Sequence, residues 1–275
     1  MSEAAVERHY ARSGLLEAIQ EGLRRLGKDL DHLTLADLAG IDEFHSRGRA
    51  ATKELAEQLG LGPDRLVLDI GAGLGGPARF LAATYGCRVV GVDLGGEYCR
   101  VAGALTRWVG LDALVSFRRA SALALPFADG AFDVAWTQHA AMNIADKERF
   151  YAEAFRVLKP GGRFALYDVL QGEGGPIHLP VPWARDAAIS HLAAPQELRR
   201  LLAGAGFEIT AWRDRTEAAG AAFAAAARQL RDGAPPPLGL GLLLGKDLPA
   251  IIEAMRRNLE EGRILVVEAL CRRPS

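Results

Sequence analysis

Cysteine is scarce in this chain, and its three copies, Cys87, Cys99 and Cys271, show no CxxC spacing. That argues against a zinc site or a disulfide framework and leaves reduced thiols in or near the core. An excess of one charge is also missing. The 33 Lys and Arg nearly balance the 34 Asp and Glu, for a net charge of -1. Without a global field there is no general pull toward nucleic acid or anionic lipid. No apolar run approaches the roughly 20 residues of a membrane span; the most apolar loop, Leu238 to Gly245, is far shorter. The opening Met1 to Arg8 is polar and shows no apolar signal segment, so a soluble, cytoplasmic protein is expected. No internal repeat is visible. What is present is glycine, at 31 residues, and a hydrophobic content of 49% over 275 residues. That is ample for one large domain, or one domain with a small cap.

Strand and helix signals alternate from about Arg65 onward. Strands are expected at Arg65 to Ile70, Arg88 to Asp93, Leu114 to Arg118, Phe132 to Thr137 and Arg163 to Asp168. Helices fall between them at Pro77 to Tyr85, Glu97 to Val109 and Asp146 to Leu158, the last ended by Lys159-Pro160-Gly161-Gly162. A helix at Pro195 to Ala205 and late strands at Phe207 to Arg213 and Arg263 to Arg272 complete the pattern. Short apolar strands separated by helices predict a doubly wound α/β sheet. Residues 1–60 read instead as helices, Val6 to Leu26 and Gly48 to Leu59, and are expected to fold over the ligand edge of the sheet as a lid. Residues 61–275 are then the core. Substrate-loop insertions are expected at about 171–195 and 214–246. The second holds an alanine-rich run, Ala218 to Ala227, read as plain helix, and a Pro235-Pro236-Pro237 break.

The most informative segment is Val67-Leu68-Asp69-Ile70-Gly71-Ala72-Gly73-Leu74-Gly75-Gly76. A buried strand runs into a glycine turn that opens a helix, which builds a nucleotide-cofactor pocket. Gly71 and Gly73 permit tight backbone and close ligand approach. Gly71, Gly73 and Gly76 also satisfy the dinucleotide pattern, but Asp69 would repel a pyrophosphate at the helix start. A carboxylate there attracts a cofactor carrying an ammonium and a sulfonium, namely S-adenosylmethionine (SAM). Asp93 closes the second strand at about the spacing expected of a ribose-binding acid.

These residues, with Gly91-Val92-Asp93-Leu94, Leu125-Pro126-Phe127, Phe132-Asp133 and Arg156-Val157-Leu158-Lys159-Pro160-Gly161-Gly162, resemble the class I SAM-dependent methyltransferases of small molecules. The resemblance implies a Rossmann-like seven-stranded sheet with an antiparallel last strand. It implies that Asp69 and Gly71 hold the methionine end, Asp93 the ribose and Leu94 the adenine face. Many relatives carry an aspartate for the adenine amino group where this chain has Ser121; its hydroxyl and the Ala122 backbone are the cofactor candidates there. Asp42 to Thr52 and Trp136 to Asn143 look like the sarcosine/dimethylglycine and phosphobase N-methyltransferase branch. By that likeness Tyr10, Phe44 and His45 belong to the lid over SAM, and Gln138 touches the methionine end.

Methyl transfer needs proximity, alignment and a dry site, and an acceptor with a free lone pair. His139, just past the fourth strand, is the first candidate base, or else a residue that binds the acceptor or fills the pocket wall. Tyr10 is the second catalytic candidate, to orient the acceptor. Asp168 could bind an acceptor ammonium or act as a turn acid. Trp183, His178 and His191 lie in the loop after the fifth strand, where Trp183 could wall an acceptor. In the phosphobase enzymes a histidine pairs with the lid tyrosine; the matching position here is Asn143, which cannot act as a base and disfavours phosphoethanolamine. The expected activity is methylation of a nitrogen or oxygen on a small-molecule acceptor, by a monomer or homodimer, with S-adenosyl-L-homocysteine as product. A catalytically silent or pericyclase-like SAM-binding relative is the alternative. An NAD-dependent oxidoreductase is disfavoured by Asp69 and by the lack of a Tyr-x-x-x-Lys pair.

Overall fold

The computed structural model describes residues 3–233 and 236–275, so Met1, Ser2 and Pro235 of the expectations above lie outside the described residues. Four helices come first: α1 (Glu3–Tyr10), α2 (Leu15–Arg25), α3 (Leu35–Asp42) and α4 (Arg49–Ala56). The alternating part follows as β1 (Leu66–Ile70), α5 (Gly76–Tyr85), β2 (Arg88–Asp93), α6 (Gly96–Trp108), β3 (Val115–Arg119), β4 (Phe132–Gln138), α7 (Lys147–Val157) and β5 (Leu158–Gln171). The chain ends with α8 (Pro195–Gly204), β6 (Glu208–Asp214), α9 (Thr216–Asp232), α10 (Gly241–Leu244), α11 (Leu248–Glu260) and β7 (Ile264–Arg272).

The strands form one seven-stranded sheet in the order β3-β2-β1-β4-β5-β7-β6. β1 to β5 pair in parallel, whereas β7 runs antiparallel to both of its neighbours. Helices cover both faces, so central strands read as continuous apolar runs: Val67, Leu68 and Ile70 are fully buried. The order reverses at β1, between β2 and β4. In such sheets that point opens a crevice beyond the carboxyl ends of the strands. The pairings Ile70 with Val92 and Asp69 with Trp136 bring Asp69, Asp93 and Gln138 to this one edge.

Several boundaries differ from expectation. The long first helix is broken between α1 and α2, where Gly14 adopts φ 70°. The sequence reading passed over α3, although Thr34 and Asp37 form a capping box at its start. It also passed over α10 and α11; the apolar face of α11, Leu248, Ile251, Ile252, Met255 and Leu259, has helical spacing. β5 starts directly from α7 at Leu158, and a register shift absorbs the Pro-Gly turn before Arg163.

The N-terminal helices are joined to the sheet by a buried clamp. Asp42 of α3 accepts from the Arg79 guanidinium of α5, and both side chains are fully buried. Arg79 also donates to Thr106 Oγ at 3.2 Å. The contact requires Gly76, because a Cβ there would sit 1.9 Å from the Asp42 carbonyl oxygen. The third glycine of the motif therefore admits a helix. Asp42→Ala strands a buried guanidinium and is expected to cost about 3–5 kcal/mol of stability, read as a lower urea midpoint; an unchanged midpoint contradicts the clamp.

Candidate active site

The crevice opens into a cavity of about 1110 Å³ bordered by the carboxyl ends of β1, β2 and β4, the N-terminal helices, and α9 to α11. Asp69 lies on its wall, only 2% exposed. Its Oδ2 is buried with no hydrogen-bond partner. Burial, then the charges of Asp93 and Glu43, push its carboxyl up to about 8. Asp93 is held across the turn: it accepts from the Gly73 N–H at 2.9 Å and the Gly95 N–H at 2.8 Å. Burial raises its pKa against these two bonds. Each of its oxygens keeps a lone pair for a ligand hydroxyl. Gln138 Oε1 accepts from the Trp136 indole at 3.2 Å and lies 3.3 Å from the Thr52 hydroxyl, while its Nε2 is buried without a partner. Gly71, at φ 80°, would drive a Cβ to 2.6 Å from that of Ala140, so only glycine fits this wall.

The segment after α3 supplies a polar chain behind this wall. Glu43 Oε2 lies 2.8 Å from His45 Nε2 and accepts from Thr52 at 2.8 Å, and Glu43 also pairs with Arg49. Burial opposes the charge of Glu43, but His45, Arg49 and Thr52 hold its carboxyl below the usual range. Ser46 Oγ lies 2.9 Å from Tyr167 OH and 3.3 Å from His139 Nε2. His139 stacks on Tyr167 with centroids 5.3 Å apart, in a left-handed conformation at φ 49°. Burial, then His45, hold its pKa well below 6.5, so the ring is neutral near pH 7.

Tyr10 of α1 donates to Asn143 Oδ1 at 2.7 Å. Asn143 in turn donates to the carbonyls of Trp183 and Ile189, both at 2.8 Å. One side chain thus ties α1 to the loop after β5. Burial, then Tyr98, Asp93 and Asp168, keep Tyr10 well above 10, as a phenol.

The structure brings Asp69, Gly71, Gly73, Asp93, Leu94, Ala122, Gln138, Phe44, His45, His139, Tyr10, Asn143, Trp183 and His191 to the cavity wall. Ser121, Asp168 and His178 are not on it. Ser121 bonds Glu3 of α1, and it is Glu3 that lines the cavity. Asp168 is buried beneath the wall, accepting from the Ala141 and Val169 N–H groups at 2.9 and 2.8 Å, and burial pushes its pKa up to about 6. It holds the loop carrying His139 to Asn143. His178 faces Glu261 at 2.7 Å, where its own N–H is held by Asn258. The Trp183 indole N–H is engaged by Ser190 at 2.9 Å, which leaves its ring as wall. The sequence reading missed Glu3, Glu43, Ser46 and Phe223. Glu43 stood within a quoted motif, but only the fold shows that its charge acts on Asp69.

Residues 68–166 match the family described as methyltransferase domain. Sarcosine/dimethylglycine N-methyltransferase of Halorhodospira halochloris is 35% identical over 156 residues, 57% of this chain and 56% of that protein. The chain spans about half the length of the curated relatives it matches. Among solved structures, geranyl diphosphate C-methyltransferase from Streptomyces coelicolor A3(2), in complex with Mg2+, geranyl diphosphate and S-adenosyl-L-homocysteine, aligns with a TM-score of 0.68. The identity is 21%, over 96% of this chain and 99% of that one. The [4+2]-cyclase SpnF aligns with a TM-score of 0.68 at 22% identity, over 95% of each chain. At such identities these structures speak for the fold alone.

Residues 68–166 match a methyltransferase domain, and the chain has the class I SAM-dependent methyltransferase fold. SAM is the cofactor of that family, and the wall fits it. The orphaned Asp69 oxygen suits an ammonium, the orphaned Gln138 amide suits a carboxylate, and Asp93 suits ribose hydroxyls.

Asp69 also marks the pH dependence of the free protein. Its pKa is raised from 3.8 to about 8 on folding, so the folded state binds the extra proton between those values. Stability from this group is therefore present at low pH and is lost as pH rises toward 8, on the order of a few kcal/mol. Asp69→Asn is expected to flatten that slope in chemical denaturation without ligand; an identical slope in both proteins contradicts it.

Proposed function

We propose that this chain transfers a methyl group from SAM to a nitrogen or oxygen of a small-molecule acceptor. The observation that carries this reading is the pair of orphaned buried atoms, Asp69 Oδ2 and Gln138 Nε2, beside the pinned carboxylate of Asp93. When bound, SAM supplies an electrophilic methyl on a sulfonium whose departure leaves a neutral thioether. Asp69 would hold the ammonium, Gln138 the carboxylate and Asp93 the ribose. Leu94, Ala122 and Glu3 would border the adenine, with Glu3 supplying a carboxylate that Ser121 lacks. Phe44 and His45 would close the cavity over the cofactor.

His139 is the residue assigned to the acceptor proton. It is neutral, so its lone pair is available across the working pH range. Tyr10 cannot take this part, because it stays a phenol and already donates to Asn143. Asn143 has no basic nitrogen and all its contacts are made, so it would position the lid. That difference disfavours phosphoethanolamine as acceptor. A silent SAM-binding relative is the second reading, favoured by the 3.3 Å contact that already engages His139 Nε2 with Ser46.

Methyl-labelled SAM offered with a panel of amines, phenols and carboxylic acids, followed by product mass, tests the reading. SAM binding with a labelled product supports it; SAM binding with no product from any acceptor favours the silent relative. His139→Ala is expected to lower kcat by about 10²–10⁴-fold while SAM affinity by calorimetry stays within a factor of about two. Unchanged turnover across pH contradicts the proton-accepting part.

A further inference from the structure

The cavity, at about 1110 Å³, is larger than most whole ligand pockets, which run roughly 300–1,000 Å³. Its two halves differ in chemistry. The half at the sheet edge holds the buried acids already described. The other half is walled by α9, α10 and α11, through Ala222, Phe223, Ala226, Leu244, Ile251 and Met255. Among the described residues of these helices that reach the cavity, Gln229 alone is polar. Ala222, Ala226 and Gln229 recur at helical spacing along one stripe of α9, so the alanines leave room that larger side chains would fill.

Three of the polar groups bordering this half are already engaged. The Tyr10 hydroxyl donates to Asn143, the Asn143 amide to two carbonyls, and the Trp183 indole to Ser190. The only lysine or arginine side chains among the described lining residues are Arg47 and Arg49, paired with Glu54 and Glu43. An anionic acceptor would meet the charges of Glu43 and Asp93, and the two guanidinium groups are already paired with carboxylates, Arg47 keeping one buried N–H, at Nη1, unengaged. A small zwitterion would leave most of the apolar wall uncovered. No group of His, Cys, Asp and Glu among the described residues could hold a metal ion to carry a diphosphate.

We infer that the acceptor is an uncharged, largely apolar molecule, larger than an amino acid, seated on the alanine stripe of α9. The inference rests on the methyltransferase reading above for the word acceptor; the chamber itself rests on its lining. It differs from what the name of the sarcosine/dimethylglycine relative would lead one to try.

Calorimetry and thermal shift on the full chain, with and without SAM, test it. The probes are farnesol and estradiol as uncharged apolar alcohols, farnesyl phosphate, sarcosine and phosphoethanolamine. Farnesol or estradiol is expected to bind at least about tenfold more tightly than farnesyl phosphate, a difference of roughly 1.4 kcal/mol. Sarcosine and phosphoethanolamine are expected not to bind. Ala226→Trp, which fills the stripe, is expected to weaken the alcohol at least about tenfold while SAM affinity stays unchanged, showing that the variant folds. Binding of sarcosine, phosphoethanolamine or farnesyl phosphate in preference to the alcohols overturns the inference. So does failure of every probe when SAM binds, or alcohol binding that Ala226→Trp leaves intact. If SAM fails to bind and the alcohols still do, the methyltransferase reading falls while the apolar chamber stands.

Discussion

A carboxylate with no partner, buried at the edge of a parallel sheet, is the constraint around which this molecule is arranged. Asp69 cannot shed its cost by pairing with a cation, since the nearest charges are those of Asp93 and Glu43. Removing an acid from water while setting others near it favours the protonated form. A site of this kind is tuned for a ligand that brings positive charge with it. The bare backbone at Gly71 and Gly73 would give that ligand access, and Asp93, fixed by two backbone N–H groups, would give it a second anchor. Gln138, with one unengaged buried donor, completes a set of opposite polarity at the same edge.

The N-terminal helices turn this open edge into an enclosed one. Their attachment depends on close approach: α3 reaches α5 only because Gly76 has no side chain, and the Asp42–Arg79 pair fixes it there. That anchor delivers Glu43, His45 and Ser46 to the back of the wall. At the other side α1 has no fully buried residue; Ala5, Val6 and Tyr10 pack half-buried against the core, and polar contacts run from Glu3 to Ser121, Glu7 to Arg119 and Tyr10 to Asn143.

Much of the sheet edge was legible in the sequence because its signals are local. Asp69, Gly71, Gly73 and Asp93 stand at fixed offsets within strand-turn-helix units, and β1, β2 and β4 are apolar runs bounded by turn residues. The pairing of Tyr10 with Asn143 was legible only through likeness to a family, being 133 residues apart in the chain. Three candidates lie off the cavity wall for one reason: a strand-end or loop position does not reveal which way a side chain points. Asp168 turned inward to two backbone N–H groups, Ser121 was met by Glu3, and His178 joined a surface cluster with Glu261. The alanine-rich run was read correctly as helix. Its second property, a wall with little bulk, needs the position of α9 over the cavity, which no local pattern encodes. α11 had the spacing of an amphipathic helix and was simply passed over.

Proton release on SAM binding tests the central claim most directly. Calorimetric titration near pH 7, in buffers of different ionisation enthalpy, counts the protons exchanged on binding. With its carboxyl at about 8 in the free protein, Asp69 must lose its proton to meet a cation. The account predicts release approaching about one proton per SAM in the natural chain and close to none in Asp69→Asn. Binding without release, or equal release from both proteins, would contradict it.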